Sequence, residues 1–325
     1  MNPAIAIILI GRNEGARLQA ALDSVAGRVD RIVYVDSGST DGSVATATAR
    51  DVEVVELDTR TPFTAARARN AGVAALRGPE GELPEFLQFI DGDCVLEADW
   101  LSHALPVMRA DARLGLVTGW RREMHPEASL YNAMCDHEWH RPAGPITACG
   151  GDMLVRAAAF EAVGGFNDQV IAAEDDEFCL RLRKAGYTLL RLPRAMTRHD
   201  ADMHRFGQWW QRSVRNGHGF AQLGALHGTH LARERGRVYV FGLLLPLVAL
   251  AGLATNPWIV AGVAALYAGS YASALRGLLR DGIAPGLAWR YAGLLTLSKL
   301  PNLVGMARFW VRRLAGRAMQ IIEYK

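Results

Sequence analysis

Residues 86–93 read Phe-Leu-Gln-Phe-Ile-Asp-Gly-Asp, and the rest of the chain is organised around them. Five mostly apolar residues predict a buried strand, and two carboxylates separated by one glycine follow it directly. Ligands of a parallel α/β sheet bind at the carboxyl ends of its strands, so we expect Asp91 and Asp93 beside a bound ligand. Their oxygens suit a divalent cation that bridges phosphates, and Gly92 allows close approach of the backbone. The alternative is an ordinary acidic turn between a strand and a helix.

The residues around this stretch predict strands that alternate with helices, which is typical of a doubly wound, mostly parallel sheet. Predicted strands cover residues 4–10, 31–35, 52–57, 116–120 and 153–155, and predicted helices cover 16–26, 41–50, 64–76, 99–109, 157–164 and 174–184. Residues 121–144 receive no assignment. No Gly-x-Gly-x-x-Gly follows the first strand, so a dinucleotide cofactor is not expected.

The bulk composition limits the partners and the compartment. The net charge is +3, and no long run of basic residues occurs in the first 230 residues, so nucleic acid is not an expected partner. The four cysteines lie far apart, which favours free thiols in a reducing compartment over a zinc site.

The apolar run at residues 4–10 lacks a basic region before it and a cleavage site after it, and it therefore predicts a strand and not a signal peptide. We expect the catalytic part in the cytoplasm.

The composition changes at Val238. Residues 238–255 and 257–275 contain no charge, and each is long enough, at about 1.5 Å per residue, to approach the apolar thickness of a bilayer. Asn256 and Pro257 separate them, which predicts an antiparallel hairpin. Arginines flank both outer ends and none lies in the connector, so both ends are expected on the cytoplasmic side. The alternative is a buried helical hairpin in a soluble domain.

Residues 300–322 form the third C-terminal feature. Apolar residues recur there near helical spacing and alternate with arginines, which predicts an interfacial helix on anionic lipid. A basic, solvated helix is the alternative. We therefore expect a catalytic domain over residues 1–230 and a membrane-associated helical region over residues 231–325.

Five motifs occur in order along residues 4–220: Ile-Gly-Arg-Asn-Glu, Val-Asp-Ser-Gly-Ser-Thr-Asp-Gly-Ser, Ala-Arg-Asn-Ala-Gly, Asp-Gly-Asp, and Glu-Asp-Asp-Glu with Arg-Leu-Arg-Lys-Ala-Gly-Tyr after it. In this order they resemble the inverting family-2 glycosyltransferases of the GT-A fold, in their bacterial form with C-terminal membrane segments. The resemblance implies a Rossmann-like domain that moves one sugar from a nucleotide-sugar donor to a hydroxyl or phosphate. It also implies a lipid-linked or envelope glycan acceptor and a catalytic domain on the cytoplasmic face of the inner membrane.

The resemblance also implies roles for individual residues on the donor side. Residues implied to bind the nucleotide sugar are Arg12, Asn13, Glu14, Asp36, Ser37, Arg69, Asp91 and Asp93. Asp36 would read the nucleobase, Asp91 would contact the ribose side, and Arg12 and Arg69 would assist at the phosphates. Asp93 would hold Mg²⁺ or Mn²⁺ against the diphosphate, with His199 as a further ligand. A structural histidine in a loop is the alternative for His199.

On the acceptor side, Glu174 and Asp175 match the family's Glu-Asp motif, which implies that Asp175 is the general base. An inverting transfer needs one carboxylate to remove a proton from the acceptor hydroxyl. Neighbouring acids raise the pKa of Asp175 and a helix N-terminus lowers it, so the direction stays open. An acidic helix cap is the alternative.

The other acceptor-side candidates are Gly150, Gly151, Asp152, Trp209 and Trp210. Processive synthases of this superfamily carry Gln-x-x-Arg-Trp, whereas residues 208–212 read Gln-Trp-Trp-Gln-Arg, which favours transfer of a single sugar. Trp209 or Trp210 would stack on a sugar ring, or else both lie in the core.

Two other functions fit parts of the pattern. A sugar-1-phosphate nucleotidyltransferase shares the nucleotide-binding α/β architecture, but its glycine-rich, basic N-terminal phosphate loop is missing. A catalytically silent glycan-binding membrane scaffold is the non-enzymatic alternative, and the presence of both Asp93 and Asp175 argues against it.

Overall fold

The computed structural model describes residues 4–323 and divides into two compact units. The first unit extends to Asp202 and the second begins at Met203. We expected the domain boundary near residue 230. The division lies earlier because the long helix after Met203 packs on the last helix of the chain, as described below.

The first unit is built on one mixed sheet. Its strands run in the spatial order β3-β2-β1-β4-β8-β6-β9-β5, and β7 pairs with β9. The strands are β1 Ile5–Gly11, β2 Arg31–Asp36, β3 Glu53–Glu56, β4 Phe86–Asp91, β5 Cys94–Leu96, β6 Leu114–Glu123, β7 Gly144–Pro145, β8 Met153–Arg156 and β9 Thr188–His199.

Helices cover both faces of this sheet. They are α1 Ala16–Val25, α2 Ser43–Thr48, α3 Ala65–Ala75, α4 Trp100–Ala110, α5 Leu130–Trp139, α6 Ala157–Ala162 and α7 Glu174–Lys184. Successive side chains of β1 enter opposite cores, since Ile7 and Leu9 pack with α1 and α4 whereas Ile8 and Ile10 pack with α3 and α7. The expectation of a doubly wound α/β sheet is therefore confirmed, and it explains why β1 reads as a continuous apolar run.

Part of the sheet was not expected. The pairs β3-β2, β2-β1 and β1-β4 are parallel, but β8 pairs antiparallel with both β4 and β6. The unassigned residues 121–144 contain the end of β6, a 3₁₀ turn at Pro126–Ala128 and α5. Ser129 caps α5, because its side chain accepts a hydrogen bond from the Asn132 backbone N–H.

The second unit is helical. Its helices are α8 Phe206–His227, α9 Ala232–Val238, α10 Leu245–Thr255, α11 Pro257–Arg280, α12 Pro285–Leu297 and α13 Lys299–Leu314, and a π-helical stretch, Tyr239–Leu244, joins α9 to α10. Two glycines bring α8 and α13 into close contact. A Cβ on Gly217 would lie 2.0 Å from the Asn302 carbonyl oxygen, and one on Gly305 would lie 1.9 Å from the Val214 carbonyl oxygen. Helix α8 therefore belongs to the C-terminal unit.

Two segments of this unit, Ala232–Thr255 and Pro257–Arg280, are long and apolar enough to cross a membrane. Asn256 caps α11 by accepting a hydrogen bond from the Trp258 N–H, and the Phe241 and Tyr267 rings meet edge to face at 5.6 Å, so the segments form a hairpin. Only 22% of the apolar 18-residue stretch in the first segment is buried, and only 6% of that in the second. A core hairpin would be mostly buried, so the exposure agrees better with the membrane alternative.

The last helix is shorter than expected. We predicted a helix over residues 300–322, but α13 ends at Leu314. The reason is Gly316, whose φ of 61° turns the chain out of the helix. The Arg317 backbone N–H then donates to the Arg312 carbonyl at 2.9 Å, which closes the helix end.

Candidate active site

The Asp-Gly-Asp turn lies at the carboxyl end of β4, in the middle of the sheet. The Gly92 N–H donates to the Ile10 carbonyl of the neighbouring strand at 2.7 Å, and a Cβ on Gly92 would lie 3.1 Å from that oxygen. The close approach for which Gly92 is needed is therefore to β1. The turn fixes Asp91 and Asp93 at the edge of the sheet where ligands bind in this class of fold.

Asp93 lies beside His199. Strand β5 pairs antiparallel with the end of β9, in a register that sets Cys94 opposite His199. His199 Nε2 and Asp93 Oδ2 are 3.2 Å apart, and both side chains are almost fully buried. The perpendicular ring of Trp139, at 4.5 Å between centroids, packs on His199. Asp93 and His199, which are far apart in the sequence, thus lie side by side in the structure.

The donor atoms at this pair fit a hard divalent cation. Asp93, Cys94 and His199 each place one ligand atom within 4.8 Å of the others. Burial raises the pKa of the Cys94 thiol well above its ordinary value, so the sulfur stays protonated and ligates poorly. Among residues 4–323, His199 Nδ1 is a buried nitrogen with no hydrogen-bond partner. A carboxylate and an imidazole suit Mn²⁺ or Mg²⁺ better than a neutral thiol does.

Arg69 joins the Asp-Gly-Asp turn to the acidic start of α7. Its Nη2 donates to Asp91 Oδ1 at 2.8 Å and its Nη1 donates to Glu174 Oε1 at 2.9 Å, while its side chain is 2% exposed. Burial by itself raises the pKa of Asp91, but the charges of Arg69 and Arg121 outweigh burial and hold it below its ordinary value. Since both terminal nitrogens of Arg69 already bind carboxylates, its implied contact with phosphate stays a prediction.

Gly150 and Gly151 form the turn before β8, over the buried Arg69 and the partly exposed Arg121. A Cβ on Gly151 would lie 2.0 Å from Arg69 Nη2 and 3.1 Å from Asp91 Oδ1. A Cβ on Gly150 would make an ordinary contact, 3.6 Å from the Arg121 guanidinium carbon. Only Gly151 is therefore required by the space that the Arg69–Asp91 pair occupies.

Asp152 is 1% exposed and connects three strands. Its carboxylate accepts hydrogen bonds from the Asp91 backbone N–H at 3.1 Å and from the Thr197 hydroxyl at 2.7 Å. Arg121 Nη2 lies 2.7 Å from the same carboxylate and 3.4 Å from Asp91 Oδ2. With these bonds Asp152 holds β4, β6 and β9 in place, and its expected contact with an acceptor stays a prediction.

Asp175 follows Glu174 in the first turn of α7. Burial, and then the charge of Glu174, raise its pKa from an ordinary 3.8 to about 7. The opposing effects of the Arg69 charge and of a 2.8 Å hydrogen bond from the Asp176 N–H are smaller. A carboxyl group with a pKa near the working pH can accept a proton during catalysis.

The loops after β1 and β2 contain the remaining donor-side candidates and are bonded to each other. The Asn13 N–H donates to the Ser39 hydroxyl at 2.9 Å, and the Thr40 N–H donates to Asn13 Oδ1 at 2.7 Å. Asp36 is 1% exposed, and its carboxylate accepts from the Gly38 and Ser39 N–H groups and from the Tyr34 hydroxyl. Three of the roughly four acceptor sites of a carboxylate are thus used, and the implied contact of Asp36 with a nucleobase stays a prediction.

The other candidates of these loops have defined contacts as well. Glu14 forms an ion pair with Arg17 at 3.0 Å, and the Ser37 N–H donates to the Gly11 carbonyl at 3.0 Å. The Arg12 guanidinium is exposed and lies 4.6 Å from the centre of the Phe63 ring. Their implied contacts with the nucleotide sugar stay predictions.

Trp209 and Trp210 lie in the second unit, at the start of α8. Trp209 is 2% exposed and packs against Phe206 at 5.3 Å, as a core residue does. Trp210 is partly exposed and lies 5.9 Å from the same ring. Of the two, only Trp210 offers ring surface to a sugar.

Comparison with known proteins decides the family. The model for glycosyl transferase family group 2 matches residues 87–299, and the model for glycosyl transferase family 2 matches residues 6–146. The chain belongs to glycosyltransferase family 2. The matched residues include the Asp-Gly-Asp turn, the Glu174–Asp175 pair and His199.

The curated relatives of this chain are distant. It is 26% identical over 240 residues to the pre-mycofactocin glycosyltransferase of Mycobacterium tuberculosis, a match that covers 69% of this chain and 48% of the relative. The chain spans between a quarter and a half of the length of the curated relatives it matches.

Solved structures support the GT-A fold. The mannosyltransferase PcManGT of Pyrobaculum calidifontis, solved with GDP-Man and Mn²⁺, matches with a TM-score of 0.60 at 20% identity over 95% of this chain and 88% of that one. Glucosyl-3-phosphoglycerate synthase of Mycobacterium tuberculosis matches with a TM-score of 0.50 at 16% identity over 69% of this chain and 79% of that one. At these identities the likeness establishes the fold.

The sequence analysis did not select two residues at the centre of the candidate site, Arg121 and Trp139. Arg121 contacts Asp91 and Asp152, and its guanidinium carbon lies 5.5 Å from the Trp139 ring centre. Arg121 directly follows the predicted strand at residues 116–120, so the rule that places ligands at strand ends gave a usable signal. Trp139 lies in the segment without an assignment and gave none.

Proposed function

We propose that the protein is a membrane-associated, inverting glycosyltransferase. It moves one sugar from a nucleotide-sugar donor to a hydroxyl or phosphate of a lipid-linked or envelope glycan acceptor. The observation that carries this proposal is Arg69, which bonds at once to Asp91 of the Asp-Gly-Asp turn and to Glu174 beside Asp175. This side chain brings the donor-side motif and the candidate base into one site.

Asp93 and His199 would hold Mg²⁺ or Mn²⁺ there. When bound, such a cation neutralises the charge that develops on the departing nucleoside diphosphate. Burial of Asp93 and His199 restricts water around the pair, and their antiparallel strands fix the distance between them. The mannosyltransferase and the synthase named above were solved with Mn²⁺, which supports a metal requirement in this fold.

Asp175 would act as the general base. Its carboxylate removes the proton of the acceptor hydroxyl as that oxygen attacks the anomeric carbon, and the bond from this carbon to the diphosphate oxygen breaks in the same displacement. One displacement from the opposite side inverts the anomeric centre. A pKa of about 7 leaves a large part of Asp175 ionised at neutral pH and still basic enough to accept the proton.

Glu174 has a positioning role in this scheme. Its side chain is 7% exposed and is held by Arg69 at 2.9 Å, which leaves Asp175 as the more accessible acid of the pair. The Glu174 charge also contributes to the raised pKa of Asp175. Loss of Glu174 would therefore change the basicity of its neighbour without removing the base.

The hairpin formed by α10 and α11 would anchor the protein in the inner membrane. Exposed apolar side chains cover it, among them Leu250, Leu253 and Trp258, at 63%, 72% and 81% exposure. Arginines precede the first segment and follow the second, and this arrangement supports a hairpin with both ends in the cytoplasm. The catalytic unit would then face the cytoplasmic pool of nucleotide sugars.

A screen of nucleotide sugars tests the proposed function. The full chain, purified in detergent with Mg²⁺ or Mn²⁺, is expected to release a nucleoside diphosphate from one or a few members of a panel of nucleotide sugars. A nucleotidyltransferase would instead form pyrophosphate from a nucleoside triphosphate and a sugar 1-phosphate. A scaffold without activity would release neither product, and either of these results would contradict the proposal.

A further inference from the structure

A groove in the C-terminal unit is not used by the proposed reaction. It lies between α8, α13 and residues 317–323 and has a volume of about 680 Å³, within the range of small-molecule sites. Val304 and Val311 contribute apolar surface, while Arg308, Arg312 and Arg317 contribute positive charge. The groove therefore combines an apolar wall with a cluster of guanidinium groups.

The sequence builds this groove by helical spacing and a turn. Val304, Arg308, Val311 and Arg312 recur at intervals of three and four residues, so they share one face of α13. After Gly316 the chain folds back, and Arg312 holds it there by donating to the Ala318 carbonyl at 2.8 Å and to Gln320 Oε1 at 2.7 Å. The groove is thus a product of defined hydrogen bonds.

Its charge is not balanced. The charged lining residues are Arg308, Arg312, Arg317 and Glu323, which give a formal charge of 3 − 1 = +2. Within residues 4–323, neither Arg308 nor Arg317 forms an ion pair with a carboxylate. The two acceptors of Arg312 are neutral oxygens. An anionic ligand would therefore find donors whose charge is not already neutralised.

His218 provides an independent indication of a ligand. It lines the groove from α8, is 1% exposed and packs edge to face on Phe309 at 5.4 Å. In the part of the chain that the structure describes, neither ring nitrogen has a hydrogen-bond partner. Burial, and then the charges of Arg312 and Arg215, lower its pKa to about 4, so the ring is neutral at pH 7 and keeps one N–H donor. Buried donors without a partner are costly and uncommon in native proteins.

We propose that this groove binds the phosphate group of an anionic membrane phospholipid, with Arg308, Arg317 and His218 as donors. Guanidinium groups match phosphate oxygens in shape and charge, and Val304 and Val311 line the path of an acyl chain. Trp310 and Leu314 of the same helix are exposed at 38% and 84%, which extends the apolar surface beyond the groove. The proposed reaction assigns no role to these residues.

Calorimetry with a short-chain lipid tests this site. The full chain in a nonionic detergent is titrated with dioctanoyl phosphatidylglycerol, and saturable binding to one site is expected. Arg308→Gln with Arg317→Gln should weaken binding about tenfold or more, because two charge-assisted hydrogen bonds are lost. The matched control for the Arg308→Gln change is Arg313→Gln, which removes one charge from the same helix outside the groove, where Arg313 lies over the Phe309 ring. It should change the affinity by less than about threefold.

Two results would overturn the proposal. An equal loss in the Arg313→Gln control, or binding that never saturates, would mean a diffuse attraction of lipid to a basic helix. Binding of glycerol 3-phosphate as tightly as the lipid would mean a site for soluble phosphate esters. Should the double variant fail to fold, Arg317→Gln alone gives the result, since this exposed residue follows the end of α13.

Discussion

Arg69 and Glu174 form a buried ion pair, with 2.9 Å between Nη1 and Oε1 and side-chain exposures of 2% and 7%. Removing a partner from such a pair leaves an uncompensated buried charge, which typically destabilises a protein by about 3–5 kcal/mol. The pair therefore fixes the start of α7, and with it Asp175, relative to the Asp-Gly-Asp turn that Arg69 also contacts.

Gly151→Ala tests whether this network is as tightly packed as the structure indicates. The new methyl group would lie 2.0 Å from Arg69 Nη2, and Arg69 cannot move without losing a carboxylate partner. We expect a loss of about 3 kcal/mol or more in the free energy of unfolding, seen as a lower melting temperature of the full chain in detergent. Gly150→Ala is the matched control, because its methyl group meets nothing closer than 3.6 Å. Equal melting temperatures for the two variants would contradict the packing.

Asp93→Asn tests the metal site. The change keeps the shape of the side chain but removes the charge that would attract the cation beside His199. Turnover should be abolished, and binding of the nucleoside diphosphate should weaken only when Mg²⁺ or Mn²⁺ is present. Isothermal calorimetry with and without EDTA measures this difference. Near wild-type activity with an unchanged metal requirement would count against Asp93 as a ligand.

Asp175→Asn tests the base. It should leave donor affinity nearly intact and lower kcat by about 10²–10⁴-fold, the usual contribution of general base catalysis. The wild-type rate should rise as the pH increases through about 7, since only the ionised carboxylate accepts a proton. Glu174→Gln is the comparison variant and should be milder, because it leaves Asp175 in place.

The thermal stability of Asp175→Asn, compared with that of the wild type, is the control for folding. The pKa of Asp175 is raised in the folded state, so its contribution to stability is complete below about pH 4 and is lost as the pH rises to about 7. Asn carries no such ionisation. The variant should therefore melt no lower than wild type, and the difference in its favour should grow between pH 4 and 7 and stay constant above. A variant that melts lower at pH 8 than wild type would refute the raised pKa.

The hairpin is tested by fractionation and by topology. The full chain should sediment with membranes, resist extraction by high salt or carbonate, and place a reporter fused after Lys325 in the cytoplasm. The physical reason is the exposed apolar surface of the segments Ala232–Thr255 and Pro257–Arg280. Recovery of the intact chain in the soluble fraction without detergent would favour a buried helical pair.

The strands and helices that the sequence predicted are those whose apolar residues form a recognisable local pattern. Strands β1 and β4 are buried on both faces and read as apolar runs, whereas the close approach of Gly92 to Ile10 of β1 was not predicted. Strand β9 was missed because its exposed and buried residues do not alternate and because Pro193 interrupts it. Local pattern cannot reveal a strand whose burial is set by distant neighbours.

The same contrast between local pattern and contacts of distant residues applies to the candidate site. Asp91, Asp93 and Asp175 could be selected from ordered motifs, but their connection through Arg69 could not, because it depends on side chains that the fold brings together. Asp152 is a second residue whose contacts the sequence could not reveal. The sequence made it an acceptor-side candidate, which stays a prediction, but could not reveal that its buried carboxylate bonds to Arg121 and Thr197.

The anomeric configuration of the product distinguishes inversion from retention and so tests whether Asp175 activates the acceptor. Once a donor is known, proton NMR of the newly formed glycoside, or of the sugar released to water before it equilibrates, gives its anomeric configuration. An α-linked donor should yield a β-configured product, because Asp175 activates an acceptor that attacks from the opposite side of the ring. A product that retains the α configuration would contradict the account, and the acidic cluster at Glu174–Glu177 would then be only a helix cap.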